Sequence, residues 1–468
     1  MKSVNNKITF ALYFGNRGFF PGEVIAEARK EMIEAVTKNG FDYICMDESL
    51  TRYGAVETRQ EGKMYAKFLE ENKGKFDGVI LCMPNFSDEN GAAEALKEAN
   101  VPVLVQAYPD ELGKMDFARR RDTVCGKFAM CHVLRQCKIK FTLTKKMAVS
   151  PLDESFAEDL KRFAAICRIV KGMKSFNIGA MGARTTAFKT VRTDEVALQN
   201  KGITVETIDL SYIFDLMNNV DEKLLAEKKE YYKGIASFGN YPEEKLTNIS
   251  KLGVVFDRLI EEYSLNAIAV RCWDEFVTQY NIAPCLVLSD LNNKGIPAAC
   301  ELDVTNAVMM YALCLASQEP VMLLDVNNNY GESSTKNIMF HCSAVPSSFF
   351  EDKPCISEHL MFKKSYGEGT GVGIVNGKVK AGKVTVATAK TEDGKIWGFT
   401  TDGKLTDDEF DKEFFGTGVV FENKNLEEIF KYMCENGYKH HVAIAKGEWS
   451  DCVEEALVKY LGYNIDVL

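Results

Sequence analysis

The chain has 468 residues, 46% hydrophobic and 26% charged, an ordinary globular composition too long for one core and suited to two or three domains. Its net charge of −10 argues against nucleic acid or an anionic membrane surface as a partner, and no apolar run is long enough to span a bilayer. The 14 cysteines form no C-x-x-C pair and no leader pattern opens the chain, so a reducing cytoplasm is expected.

ITFALYF (8–14) reads as a strand, and EVIAEARKEMIEAVTKN (23–39), closed by Gly40, as a helix. Short apolar strands follow at DYICM, GVILCM and VPVLVQAY, separated by acidic, lysine-rich helical stretches. Alternation at this spacing predicts βαβ units around a parallel sheet, with clefts at the strand C-termini. The long amphipathic helix SFAEDLKRFAAICRIVKGM closes a first α/β domain, 1–172. A second, 173–328, opens at SFNIGAMGAR; it contains the strands NAIAVR, IPAACEL and PVMLLDV and a helix at TNAVMMYALCLAS. From 329 to 468, NGK, EDGK and TDGK punctuate β-like runs, as antiparallel hairpins do, before a closing helix, strand and helix. The predicted fold class is α/β: two Rossmann-like parallel-sheet domains followed by a mostly antiparallel C-terminal β domain.

Glu301 follows the strand-like run IPAAC, and Asp325 follows VMLL. The 24 residues between them accommodate one strand–helix–strand crossover, which places both at one edge of a parallel sheet. His440 and His441, two of only five histidines, open the run VAIA. Alternation along a strand turns their rings to opposite faces, so only one joins a given site. Two carboxylates and an imidazole suit a Mn²⁺-type divalent ion better than zinc or calcium, and they also supply acid/base groups. In the competing reading each carboxylate caps a helix, and one histidine is exposed while the other is a core residue. Asp303, just before TNAVMM, reads as such a cap.

His341, in NIMFHCSAVP, is another strand-borne imidazole, while His132 and His359 carry no assignment. Arg17 in GNRGFFP, beside Phe19 and Phe20, and Arg271, beside Trp273 in AVRCWDE, follow strands. There they could hold substrate oxygens, or be solvated surface charges. GEGTGVGIVNG lacks the strand-then-helix context of a dinucleotide fingerprint and reads as a turn; GAMGARTTAF reads as a βα turn rather than a phosphate cradle.

Taken together, GNRGFFP, MPNFSDE, QAYPDE, RRRDTVCGK, GAMGARTTAFKTVR, RCWDEF, CELDVTNA, LLDVNNN, FHCSA and GYKHHVAIAKG resemble the L-fucose/L-arabinose isomerase superfamily from end to end. The resemblance implies a Mn²⁺ ion, with Mg²⁺ or Co²⁺ as alternatives, held by Glu301, Asp325 and His441 and bridging the carbonyl and hydroxyl oxygens of an open-chain sugar. Glu301 and Asp325 would share the proton transfers through an enediol. Arg17, Arg271, Trp273, Asn85 and His341 are the candidate substrate-binding residues. The arabinose branch has glutamate at the second carboxylate and recruits a histidine like His341, so Asp325 favours the fucose-like branch. A homohexamer is also implied, with trimer or dimer as alternatives, in which one subunit's N-terminal domain covers a neighbour's site and supplies Arg17.

The expected activity is metal-dependent aldose–ketose isomerisation of an unphosphorylated sugar, an L-fucose-like deoxyhexose or a pentose. Two features depart from that pattern: the chain is short for an L-fucose isomerase, and Arg271 stands where many relatives have glutamine. An extra cation suits a sugar with an anionic end, so the runner-up is a sulfoquinovose isomerase forming 6-deoxy-6-sulfofructose. A non-catalytic sugar-binding or regulatory protein is the alternative of another class, and it requires no metal.

Overall fold

The structure, a computed structural model, describes residues 7–342, 344–411 and 416–468. The chain divides into two compact units, one ending at Lys171 and the other running from Gly172 to Leu468. In the first, strands β1 (Thr9–Phe14), β2 (Asp42–Cys45), β3 (Gly78–Met83), β4 (Val103–Ala107) and β5 (Thr142–Leu143) form a parallel sheet in the order β2-β1-β3-β4-β5. The sequence GVILCM of β3 is apolar throughout because the sheet is covered on both faces. Ile80 and Cys82 enter one core, and Val79, Leu81 and Met83 the other.

The second unit opens with another parallel sheet, ordered β7-β6-β8-β9, from β6 (Phe176–Met181), β7 (Ile203–Ile208), β8 (Ala267–Val270) and β9 (Ala298–Ala299). Its remaining strands are β10 (Val321–Asn329), β11 (Lys336–His341), β12 (Cys355–Glu358), β13 (Val372–Asn376), β14 (Gly382–Glu392), β15 (Lys395–Thr406), β16 (Thr417–Glu422), β17 (His441–Lys446) and β18 (Asn464–Val467). β12 and β13 form a separate two-stranded antiparallel ribbon. The others form one sheet, β14-β17-β10-β11-β16-β15-β18, and pairing of β14 with β15 closes six of them into an antiparallel barrel. β18 adds to β15 in parallel. The architecture is therefore α/β with a mostly antiparallel C-terminal sheet, as the sequence predicts.

One expectation changes. PVMLLDV is not a strand of the parallel sheet: it is β10, which pairs antiparallel with β11 and β17 inside the barrel. Residues on either side of position 328 thus share one sheet. The cause lies in the preceding helix, Val304–Ser317, which is buried at 13 of its 14 positions. It packs between barrel strands β14 and β17 and the parallel strands β8 and β9, so it is apolar all round. β10 emerges beneath it with its first four residues buried, and such a run reads like a parallel core strand. Among the described residues no helix is long and apolar enough to cross a membrane.

Candidate active site

The helix Val304–Ser317 links the two carboxylates. Glu301 leaves the short strand β9 through a tight turn in which Glu301 (φ +57°) and Leu302 (φ +60°) are both left-handed, fixed by Leu302 N–H to Val270 O at 3.0 Å and Asp303 N–H to Cys300 O at 3.1 Å. Two successive non-glycine residues in this region store about 1–3 kcal/mol each, strain that the packed helix retains. Asp325 stands on β10 directly opposite His441 of β17. The two carboxylates therefore approach from different sheets rather than along one parallel edge, and meet at the same imidazole.

His441 Nε2 lies 2.9 Å from Glu301 Oε2 and 3.4 Å from Asp325 Oδ1. Neither approach has hydrogen-bond geometry, so Nε2 and Asp325 Oδ1 are buried atoms without a hydrogen-bond partner. On the other side of the ring, Nδ1 is 2.9 Å from Asp303 Oδ2. Asp303 can only accept there, so Nδ1 carries a proton, and once Nε2 gives up its own, its lone pair faces the two carboxylates. Such a carboxylate–histidine pair is the usual support of a metal-binding imidazole. The ligand atoms of Glu301, His341 and His441 lie within 4.8 Å of one another, as do those of Asp325, His440 and His441. Unpartnered buried polar atoms, two carboxylates and an oriented imidazole fit a divalent cation.

Asp303 caps the helix through Asn306 N at 3.1 Å, as expected, but the sequence did not reveal its hold on His441. It also binds Lys439, a buried lysine whose ammonium further contacts Thr305. Asn306 donates to the His441 carbonyl at 3.1 Å and to Asp303 Oδ2 at 2.8 Å, and Thr388 donates to the same carbonyl at 2.9 Å. Burial opposes ionisation of Asp303, yet Lys439 and His441 outweigh it and hold its carboxyl well below the usual range. Burial likewise disfavours the His441 cation, but the hydrogen bond to Asp303 and the close Glu301 carboxylate raise its pKa to about 9. Asp325 shifts upward because its burial exceeds the attraction of the nearby histidines.

The two histidines do not separate as alternation predicts. The strand begins only at His441, so His440 precedes the regular pleat, and their ring centroids are 4.7 Å apart. Burial and the charge of His441 hold the His440 pKa down. Phe188, from the loop after β6, closes over both rings and Trp273 with centroid distances of 5.5–5.8 Å. Trp273 Nε1 donates to Glu301 Oε1 at 3.0 Å, leaving Oε2 toward His441. His341 sits at the end of β11 with its ring 5.9 Å from that of His441.

Family models match both ends of the chain. The model "Fucose/sulfoquinovose isomerase, N-terminal domain" matches residues 11–174, and "L-fucose isomerase, C-terminal domain" matches 339–468. The sulfoquinovose isomerase of Priestia aryabhattai is 24% identical over 389 residues, 81% of this chain and 83% of the relative. That of Alkalicoccus urumqiensis is 24% identical over 395 residues, 83% and 85% of the two chains. The chain belongs to the fucose isomerase superfamily. It is an aldose–ketose isomerase of a sugar, and the non-catalytic alternative falls away.

In this isomerase Arg271 is no isolated cation: Glu275 accepts from its Nε at 2.8 Å and lies 2.7 Å from Nη2. The pair lines a cavity of about 550 Å³ at the C-terminal ends of β6, β7 and β8, together with Gly182, Asp209, Phe214 and Asn218. Gly182 (φ +92°) permits this approach, since a Cβ there would lie 3.1 Å from that of Arg271. In the first unit, Arg17 pairs with Glu89 and lies 4.2 Å over the Phe86 ring, while its buried Nε has no hydrogen-bond partner. Asn85 is buried in the same unit and donates to Asn16 and to Pro21 O, tying down the loop that carries Arg17. His132 lies beside Gln136, and His359 packs on Phe362.

Proposed function

We propose that the chain is a metal-dependent isomerase interconverting sulfoquinovose, or a closely related 6-sulfonated hexose, with its ketose. The observation that carries the metal-dependent chemistry is the convergence of Glu301, Asp325 and the Asp303-oriented His441 on one buried point. The substrate assignment is supported by relatives that align over four-fifths of the chain and are named sulfoquinovose isomerases. A divalent cation at that point, Mn²⁺ with Mg²⁺ or Co²⁺ as alternatives, supplies Lewis-acid stabilisation of the negative charge that grows as the enediol forms.

The chain's own residues do the rest. Glu301 and Asp325 carry protons between the adjacent carbons and oxygens, each such transfer typically contributing ~10²–10⁴-fold. Trp273 and the left-handed turn hold the Glu301 carboxylate in one orientation. Phe188 and Trp273 form an apolar wall that excludes water, and His341 contacts substrate or cation.

The sulfonate is assigned to Arg17 of a neighbouring subunit, whose Nε has no hydrogen-bond partner within its own chain's described residues, with Arg271 assisting and Asn85 shaping the Arg17 loop. A homohexamer in the cytoplasm fits this arrangement, and the exposed Phe19, Leu112, Phe117 and Phe128 of the first unit support such an interface. A second reading, a neutral L-fucose-like deoxyhexose, is favoured by one observation: both arginines already face a carboxylate. A panel of aldoses and their 6-sulfonated analogues, assayed with Mn²⁺ for ketose formation, decides. Turnover of sulfoquinovose is expected; turnover of L-fucose alone would favour the second reading.

A further inference from the structure

Beside the oxygen-rich cluster lies a second donor set, made of sulfur. Cys300 Sγ, Cys342 Sγ and a ring nitrogen of His341 lie within 4.8 Å of one another, and all three residues are buried. The Cys342 thiol is in hydrogen-bond contact with those of Cys300 and Cys285, and Cys300 with Cys272, so four thiols form one connected group. His341 Nδ1 is 3.4 Å from Cys342 Sγ. The donors arrive from four separate places: after β8, at the start of the helix Cys285–Asn293, after β9 and at the end of β11. Single buried cysteines behave as small hydrophobes, and most of the 14 in this chain fit that description. Two within reach of one imidazole, each with a further thiol at its back, do not.

We propose that Cys300, Cys342 and His341, completed by the adjoining thiol of Cys272 or Cys285, form a second metal site, selective for a thiophilic d¹⁰ cation such as Zn²⁺, Cd²⁺ or Cu⁺. Thiolate and imidazole donors select such ions, whereas carboxylates favour Mn²⁺ and Mg²⁺. Around one ion with zinc–thiolate bonds of about 2.3 Å, donor atoms lie about 4 Å apart, and those of Cys300, Cys342 and His341 already lie within 4.8 Å of one another. Each thiol that becomes a ligand releases its proton to solvent, so binding is accompanied by acid release. The inference stands on the sulfur donors alone and holds whichever sugar the isomerase uses. It also carries a consequence: Cys300 precedes Glu301 and Cys342 follows His341, so a cation on the sulfurs restrains two residues of the neighbouring site. Thiophilic metals should therefore slow turnover without displacing Mn²⁺.

The test is a titration of the full-length, Mn²⁺-saturated protein with Cd²⁺, followed by ultraviolet thiolate-to-metal charge-transfer absorption. The expected result is a band that saturates near one Cd²⁺ per chain. Cys342→Ser, or Cys300→Ser, should weaken Cd²⁺ binding by about tenfold or more. A protein with the exposed Cys125, Cys137, Cys355 and Cys434 all changed to serine should keep the band. Thermal melts identify variants that fold, and the two single variants make the comparison independent of either one. Three results would overturn the proposal: no band, a band lost only with the exposed cysteines, or Cd²⁺ uptake that merely releases Mn²⁺.

Discussion

Asp303→Asn removes one charge from a buried network while leaving its volume in place. In the native protein this carboxylate accepts from His441 Nδ1 at 2.9 Å, from Asn306 N at 3.1 Å, from Asn306 Nδ2 at 2.8 Å, and from Lys439. An asparagine offers one oxygen to these donors and turns an NH₂ toward the rest, and the buried Lys439 keeps its charge without a counter-ion. Breaking a buried pair in this way costs about 3–5 kcal/mol of stability. Loss of the acceptor behind a metal-binding histidine costs about 10–100-fold in metal affinity, or roughly 1.4–2.7 kcal/mol. Calorimetric titration of Mn²⁺ into chelated Asp303→Asn measures the second effect, and denaturation the first. In the double variant with Lys439→Met the stranded ammonium is gone, so stability should recover while Mn²⁺ affinity stays low. Wild-type affinity in the single variant would refute the orienting role of Asp303. Recovery of affinity together with stability in the double variant would reduce Asp303 to a structural part.

Other perturbations test the remaining parts. Asp325→Asn should lower kcat by about 10²–10⁴-fold with the assembly and melting temperature unchanged, and a dissociated or unfolded variant would argue for a structural carboxylate. Trp273→Phe removes the indole donor to Glu301 Oε1, and kcat should fall about tenfold with a smaller change in KM; unchanged kinetics would show that the turn alone positions Glu301. The His441 pKa of about 9 lies above its unfolded value of about 6.5, so in chelated protein its stabilising contribution is complete below about pH 6.5 and disappears as pH rises through about 9. Because a cation takes Nε2 only after that proton leaves, Mn²⁺ affinity should rise about tenfold per pH unit up to about pH 9 and then level off; a flat profile would contradict the assignment of His441 as a ligand. Arg17→Ala should raise KM for sulfoquinovose far more than for a neutral aldose, and an equal effect on both would remove Arg17 from sulfonate recognition.

Much of the parallel α/β framework was legible in the sequence, because the strands DYICM, GVILCM, SFNIGAM and NAIAVR are short apolar runs spaced by helices. The barrel was harder to read. β10 is buried at its start like a parallel strand, and its true partners, β11 and β17, are set by pairing that no local pattern encodes. Glu301, Asp325 and His441 stood out as polar residues ending or opening apolar runs, and the structure brings all three together. Asp303 was legible only as a cap, since its second duty depends on a lysine and a histidine more than 130 residues away. Lys439 looks like any surface lysine in GYKHH; only the fold buries it. Phe188 lies in a glycine-rich loop whose turn signal conceals its packing on Trp273 and the histidines. The cysteines were legible one by one as core residues, and their clustering emerges only when four segments converge.

That Glu301, Asp325 and His441 hold one catalytic cation is tested most directly by titrating chelated protein with Mn²⁺ while ketose formation from its aldose substrate is followed. Activity should be absent at the start, rise in proportion to added Mn²⁺ and saturate near one ion per chain. Full turnover in the metal-free protein would contradict the site.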